Sequence, residues 1–475
     1  MTDPTLPILP ASRVEQDGTR YALAQTADGN KLLLVSGDTS GFSGQPIGSN
    51  TLLCPRTHAN AAALRERLPW LRTVPLGLRT SAGFGDRLGV ATPGHVAAVR
   101  GTGVAPIFAQ QSVRENTRTG RTPQGVMDDA MWGVFESGWR EPWGADADHL
   151  KQTTDIPPFA DAGYTFFTID PGDHVDDAAE SDDLATLWQK AERLDWATLG
   201  SSVEEQRALY LKPFEMDGLT LEFNEAALAK ALAKYGGAVA HTVRMQQQLA
   251  ASCAGRPFEM EMSVDETGTT TSLHEHFYIA SELIRLDVPF ISLAPRFVGR
   301  FEKGVDYIGD LGELEQNIAG HAAIMRHFGR RYKLSLHTGS DKFGVYPIAM
   351  KHTGGLVHLK TAGTSYLEAL RVAASAEPVL FRRILDFSRE RYETDRKTYH
   401  VSAELAKVPA ADTLNDAELV RLLDQFDARQ VLHVTFGSVL DTFGGDIQRL
   451  LRDNAATYAD YLKRHFDRHL ESLRQ

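Results

Sequence analysis

Cysteine is nearly absent. Two thiols, Cys54 and Cys253, stand in 475 residues, and neither sits in a CxxC or Cys/His zinc pattern. A disulfide scaffold is thereby excluded, and a reducing compartment is the simple inference. A basic excess is also missing: 50 Lys and Arg face 62 Asp and Glu, for a formal net charge of -12. Phosphate binding needs a basic surface, so nucleic acid is not expected as a partner. A local cluster of Arg and Lys can still hold a small carboxylate. No apolar run approaches the ~20 residues of a membrane-spanning helix. Met1-Thr2-Asp3-Pro4 opens without the basic stretch or apolar core of a signal peptide. These absences predict a cytoplasmic protein with no membrane partner. Gly83-Phe84-Gly85 and Gly354-Gly355 lack the spacing of a nucleotide loop, and no HExxH motif occurs.

What is present is a repeated alternation of short apolar strands and helical stretches. Residues 1–75 stand apart as a small α+β domain. Two strands, Tyr21–Gln25 and Lys31–Val35, join there at Asp28-Gly29-Asn30, and a helix follows near Asn60–Leu68 with Asn60 as its N-cap. Over 76–475 the reading gives eight strands: Gly77–Gly83, Pro106–Gln110, Thr165–Asp170, Phe258–Asp265, Phe290–Arg296, Tyr332–His337, Leu356–Lys360 and Leu432–Phe436. Eight β/α units predict a closed (β/α)8 TIM-type barrel of the α/β class. The long gap after the third strand holds a helical insertion at about 176–222. One long amphipathic helix is expected from Asp446 to Leu473.

Alternation along each strand assigns faces. Ser335 and His337 share one face against Leu334 and Leu336; His358 and Lys360 oppose Val357 and Leu359. Glu259, Glu261, Ser263 and Asp265 form another set, Arg296 falls with Ser292, and Asp170 with Thr168. Five strands thus send ionisable groups to one face near their C-terminal ends, where barrel active sites are built. Two imidazoles and a carboxylate suit a divalent transition metal with open positions, and zinc, manganese, nickel and cobalt fit equally. Asp170, His337 and His358 are the expected ligands, with Glu266 in reserve. His274-Glu275-His276 ranks lower, because residues one or two apart on a helix do not share a face. Glu261 and Lys333 read as a structural pair. Among the cations Arg296, Arg300, Lys303 and Lys342, Arg296 best fits a substrate carboxylate, and Lys303 reads as ordinary surface charge. Asp265 is a candidate acid–base group. Glu115, from pattern alone, is a solvated acid at a helix start.

Several motifs resemble the tagaturonate/fructuronate epimerases, from about residue 80 to the C-terminus. They are Gly83-Phe84-Gly85-Asp86-Arg87-Leu88-Gly89, Pro106-Ile107-Phe108-Ala109-Gln110-Gln111-Ser112, Phe167-Thr168-Ile169-Asp170-Pro171-Gly172-Asp173, Ser292-Leu293-Ala294-Pro295-Arg296-Phe297 and Leu336-His337-Thr338-Gly339-Ser340-Asp341-Lys342-Phe343. The resemblance implies the barrel and a metal-dependent enzyme of hexuronate catabolism that interconverts D-tagaturonate and D-fructuronate. It also raises Glu115 and Asp265 to acid–base partners on opposite sides of the substrate. Gln111 and Lys342, inside these motifs, join Arg296 as expected substrate contacts. An aldolase or ketose isomerase with a Schiff base on Lys360 stands as the alternative, and a non-catalytic sugar-acid sensor as a third reading. A homo-oligomer is left open.

Overall fold

The computed structural model describes residues 6–361 and 363–474; the four N-terminal residues read above for a leader lie outside them. Eight parallel strands close a barrel: Ser81–Gly83 (β1), Ala105–Ser112 (β2), Gly144–Leu150 (β3), Phe166–Ile169 (β4), Glu259–Ser263 (β5), Phe290–Ala294 (β6), Lys333–Leu336 (β7) and Val357–Lys360 (β8). β8 pairs with β1 through His358 opposite Ser81, which completes the ring. Outward residues such as Met260, Met262, Leu334, Leu336, Val357 and Leu359 are buried against the surrounding helices. Leu76, Ala105, Ile107 and Phe166 form a separate apolar cluster.

The expected set of strands requires two corrections. β3 was not anticipated: in Gly144-Ala145-Asp146-Ala147-Asp148-His149-Leu150 alanines alternate with acids, and Asp and Ala are both depleted in strands. Conversely, Leu432–Phe436 has strand-like composition but is helical, running from the helix Phe426–Val434 into the helix Phe436–Asp453. Burial of Val431, Leu432, Val434 and Phe436 overrides local propensity there. The expected third strand is therefore β4, and the insertion follows the fourth strand. Besides its helices, the insertion carries a hairpin of Pro213–Met216 with Leu219–Glu222. It leads into the barrel helix Glu225–Cys253.

The N-terminal region forms a five-stranded antiparallel sheet from Val14 to Cys54. Its next helix, His58–Arg67, is capped by Thr57, whose hydroxyl accepts from the Asn60 N–H at 3.3 Å. Asn60 instead ties the Ser43 and Pro55 carbonyls, so it is not the cap. Arg65 pairs with Asp128 at 2.9 Å and Lys31 with Glu136 at 2.6 Å, joining this region to the helix Pro123–Glu136. The expected single C-terminal helix is two, Phe436–Asp453 and Ala455–Leu470, broken at Asn454. The second packs on the first barrel helix, Thr92–Val99. A Cβ on Gly94 would lie 2.6 Å from Leu462 Cβ, so the approach requires glycine. No helix of the described residues is long and apolar enough to cross a membrane.

Candidate active site

β3 supplies the centre of the site. Its pairing with β4 shifts register between Ala147 and Leu150, and His149 takes φ +52°. A non-glycine residue at positive φ costs roughly 1–3 kcal/mol. The kink breaks the alternation, so the adjacent Asp148 and His149 both line the cleft at the rim. His149 Nδ1 lies 3.2 Å from Asp170 Oδ2, just beyond the end of β4. His337, at the end of β7, sits with Nε2 2.6 Å from Glu261 Oε1 and Nδ1 3.1 Å from Asp265 Oδ1. The two imidazole rings stand edge to face, 5.0 Å between centroids. Below them Lys360 donates to Asp148 at 2.6 Å and pairs with Asp146 at 2.8 Å and Glu261 at 3.1 Å.

The electrostatics follow from this crowding. Burial opposes charge on both imidazoles. Asp148 and the bond to Asp170 nevertheless raise His149 to about 10, and Asp265 with Glu261 raises His337 to about 9. Burial pushes Asp146 up to about 7. Against their own burial, Lys360 holds Asp148 and Glu261 low, and His337 does the same for Asp265. Lys360 itself is raised by its carboxylate partners despite its burial.

This donor set fits a divalent cation. Ligand atoms of Asp148, His149 and His337 lie within 4.8 Å of one another, and so do those of His149, Asp170 and Glu266. Without an ion, the surrounding carboxylates are balanced by placing protons on both neighbouring imidazoles. A divalent ion held by these residues would supply the same two positive charges, with both imidazoles deprotonated. Asp170 and His337 stand in two separate groups that share His149: His337 groups with Asp148, and Asp170 with the reserve Glu266. His358 is not brought to the cluster: it lies lower in the barrel, with Nδ1 2.9 Å from Ser81 Oγ. His276 points away too, Nδ1 2.7 Å from His321 behind the barrel. A third group, Asp341, His465 and His469, is already committed. Arg429 donates to Asp341 at 2.9 Å, and His469 Nε2 accepts from the Asp341 N–H.

Glu115 is not solvated. It is buried in the inner cleft and takes Arg87 Nε and Nη2 on Oε1 at 3.0 and 2.7 Å. Burial raises its pKa, but Arg87 overcomes this and keeps it below the usual range. Arg114 pairs with Glu266 at 3.2 Å instead. Asp265 and Arg296 line the outer part of the same cleft. A register shift between Ile107 and Ala109 re-phases β2, so Gln110 and not Gln111 lines the inner part. Lys342 does not line it either; its buried ammonium donates to the carbonyls of Glu302, Val305 and Ser340. Lys303, read from sequence as surface charge, does line the cleft and donates to Thr338 Oγ1 at 2.8 Å. Lys333 bonds Ser81 at 2.9 Å, while Glu261 serves His337 and Lys360. Sequence reasoning missed Asp146, Asp148 and His149, whose one signal was the Asp-Ala-Asp alternation. It also missed Arg87, although that residue lies in the Gly83–Gly89 motif, and His433, which no local pattern marks.

Eight parallel strands with imidazoles and carboxylates converging at their C-terminal ends define a (β/α)8-barrel enzyme. The chain matches the family model described as UxaE, tagaturonate epimerase, over residues 10–473. It is 43% identical over 467 residues to the tagaturonate/fructuronate epimerase of Thermotoga maritima, covering 97% of this chain and 95% of that one. It also matches the native crystal structure of the fructuronate-tagaturonate epimerase UxaE of Cohnella laeviribosi, with a TM-score of 0.94 and 36% identity over 100% of this chain and 97% of that chain. A glycerol complex of the same enzyme gives a TM-score of 0.93 and 36% identity, covering 98% and 96%. The chain belongs to the tagaturonate epimerase family, and it is a carbohydrate epimerase.

Proposed function

We propose that this enzyme is a metal-dependent epimerase that interconverts D-tagaturonate and D-fructuronate. The observation that carries the reading is the pair His149 and His337 set among Asp148, Asp170, Glu261 and Asp265 at the rim. Asp148, His149, His337 and Asp170 would hold the ion, with Glu266 adjoining. When bound, a divalent ion supplies Lewis acidity and a template for substrate oxygens.

The two ketouronates differ at the carbon β to the ketone, whose hydrogen that carbonyl does not acidify. A retro-aldol route avoids the difficulty. A carboxylate removes the hydroxyl proton at that carbon, and the neighbouring carbon–carbon bond breaks toward the ketone. The aldehyde turns, the bond re-forms on its other face, and a proton returns to the new alkoxide. Glu115 and Asp265, both held ionised, are the groups proposed to take and return that proton. Direct proton exchange at carbon is the competing route. It predicts solvent deuterium at the inverted carbon, whereas retro-aldol predicts none.

Lys360 is a poor Schiff-base nucleophile here, because a nucleophilic amine must be neutral and three carboxylates favour its ammonium. Free, buried Cys54 and Cys253 accord with a reducing cytoplasm. The deciding experiment is incubation with tagaturonate, with and without added divalent metals, following fructuronate by NMR. Metal-dependent product is expected. Full activity after exhaustive chelation would overturn metal dependence, and no product under any metal would overturn the reaction.

A further inference from the structure

The inner cleft has a second pole, distinct from the imidazole–carboxylate cluster. Arg87 reaches it from the loop after β1. Two of its nitrogens serve Glu115, while Nη1 is buried with no partner among the described residues. Phe436, 3.5 Å from the guanidinium, fixes its plane. His433 arrives from the helix Phe426–Val434. It is 1% exposed, and neither of its ring nitrogens has a partner among the described residues. Buried groups of this kind are normally satisfied, and leaving them unmet is costly. A Cβ on Gly363 would meet Arg87 Nη2 at 2.6 Å and His433 Cε1 at 2.7 Å, so the space beside both depends on that glycine. Lys303 stands on the same wall, next to Gly304, whose Cβ would lie 3.4 Å from His433 Nδ1. With one bond to Thr338, its ammonium keeps further donors.

We propose that Arg87, Lys303 and His433 form the pole that takes the α-hydroxycarboxylate end of the substrate, with His433 as a specificity-determining contact. This rests on the ketohexuronate reading above. Arg87 and Lys303 supply charge for the carboxylate. Burial, then Arg87 and Lys303, hold His433 well below the usual range, so the ring is neutral. A neutral imidazole has one donor and one acceptor. Its N–H donates to a carboxylate oxygen, and its other nitrogen accepts from the hydroxyl on the adjacent carbon. An uncharged ketose offers hydroxyls but no anion for Lys303 or for the Arg87 Nη1 that Glu115 leaves unmet.

The test compares unreactive probes by calorimetry on metal-loaded enzyme: D-gluconate, which carries the α-hydroxycarboxylate, and D-glucitol, which does not. Wild type should prefer gluconate. His433→Phe and Lys303→Met should each weaken gluconate at least tenfold and shift glucitol less than twofold. The same variants should raise KM for tagaturonate more than they lower kcat. Lys303 is partly exposed, so Lys303→Met decides the matter if His433→Phe does not fold. Unchanged gluconate binding in the variants, equal loss of both probes, or no gluconate preference in wild type overturns the proposal. Gluconate preference without turnover of tagaturonate would instead overturn the reaction and leave this pole standing.

Discussion

His149 combines positive φ, burial and two carboxylate neighbours, and its neighbour across the cleft is a second imidazole. His149→Ala and His337→Ala should each lower bound metal, read by atomic emission, and reduce kcat/KM at least a hundredfold. His358→Ala should leave metal content unchanged, since its ring bonds Ser81 below the cluster. The same imidazoles give the metal-free protein a pH signature. Their folded values, about 10 and about 9, exceed the ordinary ~6.5. The folded state therefore keeps protons that the unfolded chain releases. That stabilisation is complete below ~6.5 and is lost as pH rises through about 9 to 10. The Tm of chelated protein should fall across this range, and less steeply with metal present. At this scale the sequence was partly legible. Alternation found Asp170, His337 and Asp265, because β4, β5 and β7 run regularly into the rim. It took His358 for a rim residue although the ring sits below the cluster, while Gln111, expected from the family motifs, gives way to Gln110 because a register shift re-phases β2.

Among the elements, β3 shows why a barrel can be recognised while one stave is missed. Apart from the three-residue β1, the other strands carry Leu, Ile, Val, Met or Phe outward; β3 carries Ala145 and Ala147 outward and acids inward. Its function requires the residues that disguise it. Leu432–Phe436 is the mirror case, a strand-like string buried inside helical packing. The contact between Thr92–Val99 and Ala455–Leu470 is equally invisible to periodicity, as it depends on one missing side chain. Gly94→Val should destabilise by about 1–3 kcal/mol through overpacking against Leu462, measured by denaturant unfolding, with KM unchanged in the folded fraction.

Across the whole molecule, the site draws on distant parts of the chain. Arg87 comes from the first barrel loop, His433 from the helices after β8. His469, in the helix Ala455–Leu470, accepts from the backbone of Asp341 in the loop that follows His337. Removing residues from Ala455 onward should expose Thr92–Val99 and release that loop. The truncated protein should be insoluble, or soluble with little activity, as sedimentation and an epimerase assay would show.

The seating of Ala455–Leu470 against Thr92–Val99 also bears on biosynthesis. A chain leaving the ribosome can begin closing its barrel early, as N-terminal units generally fold first. It cannot cover the first barrel helix, or steady the loop beside His337, until that late helix has emerged. Catalytic competence therefore waits on the helix Ala455–Leu470, and a translation product stalled before it would be inactive.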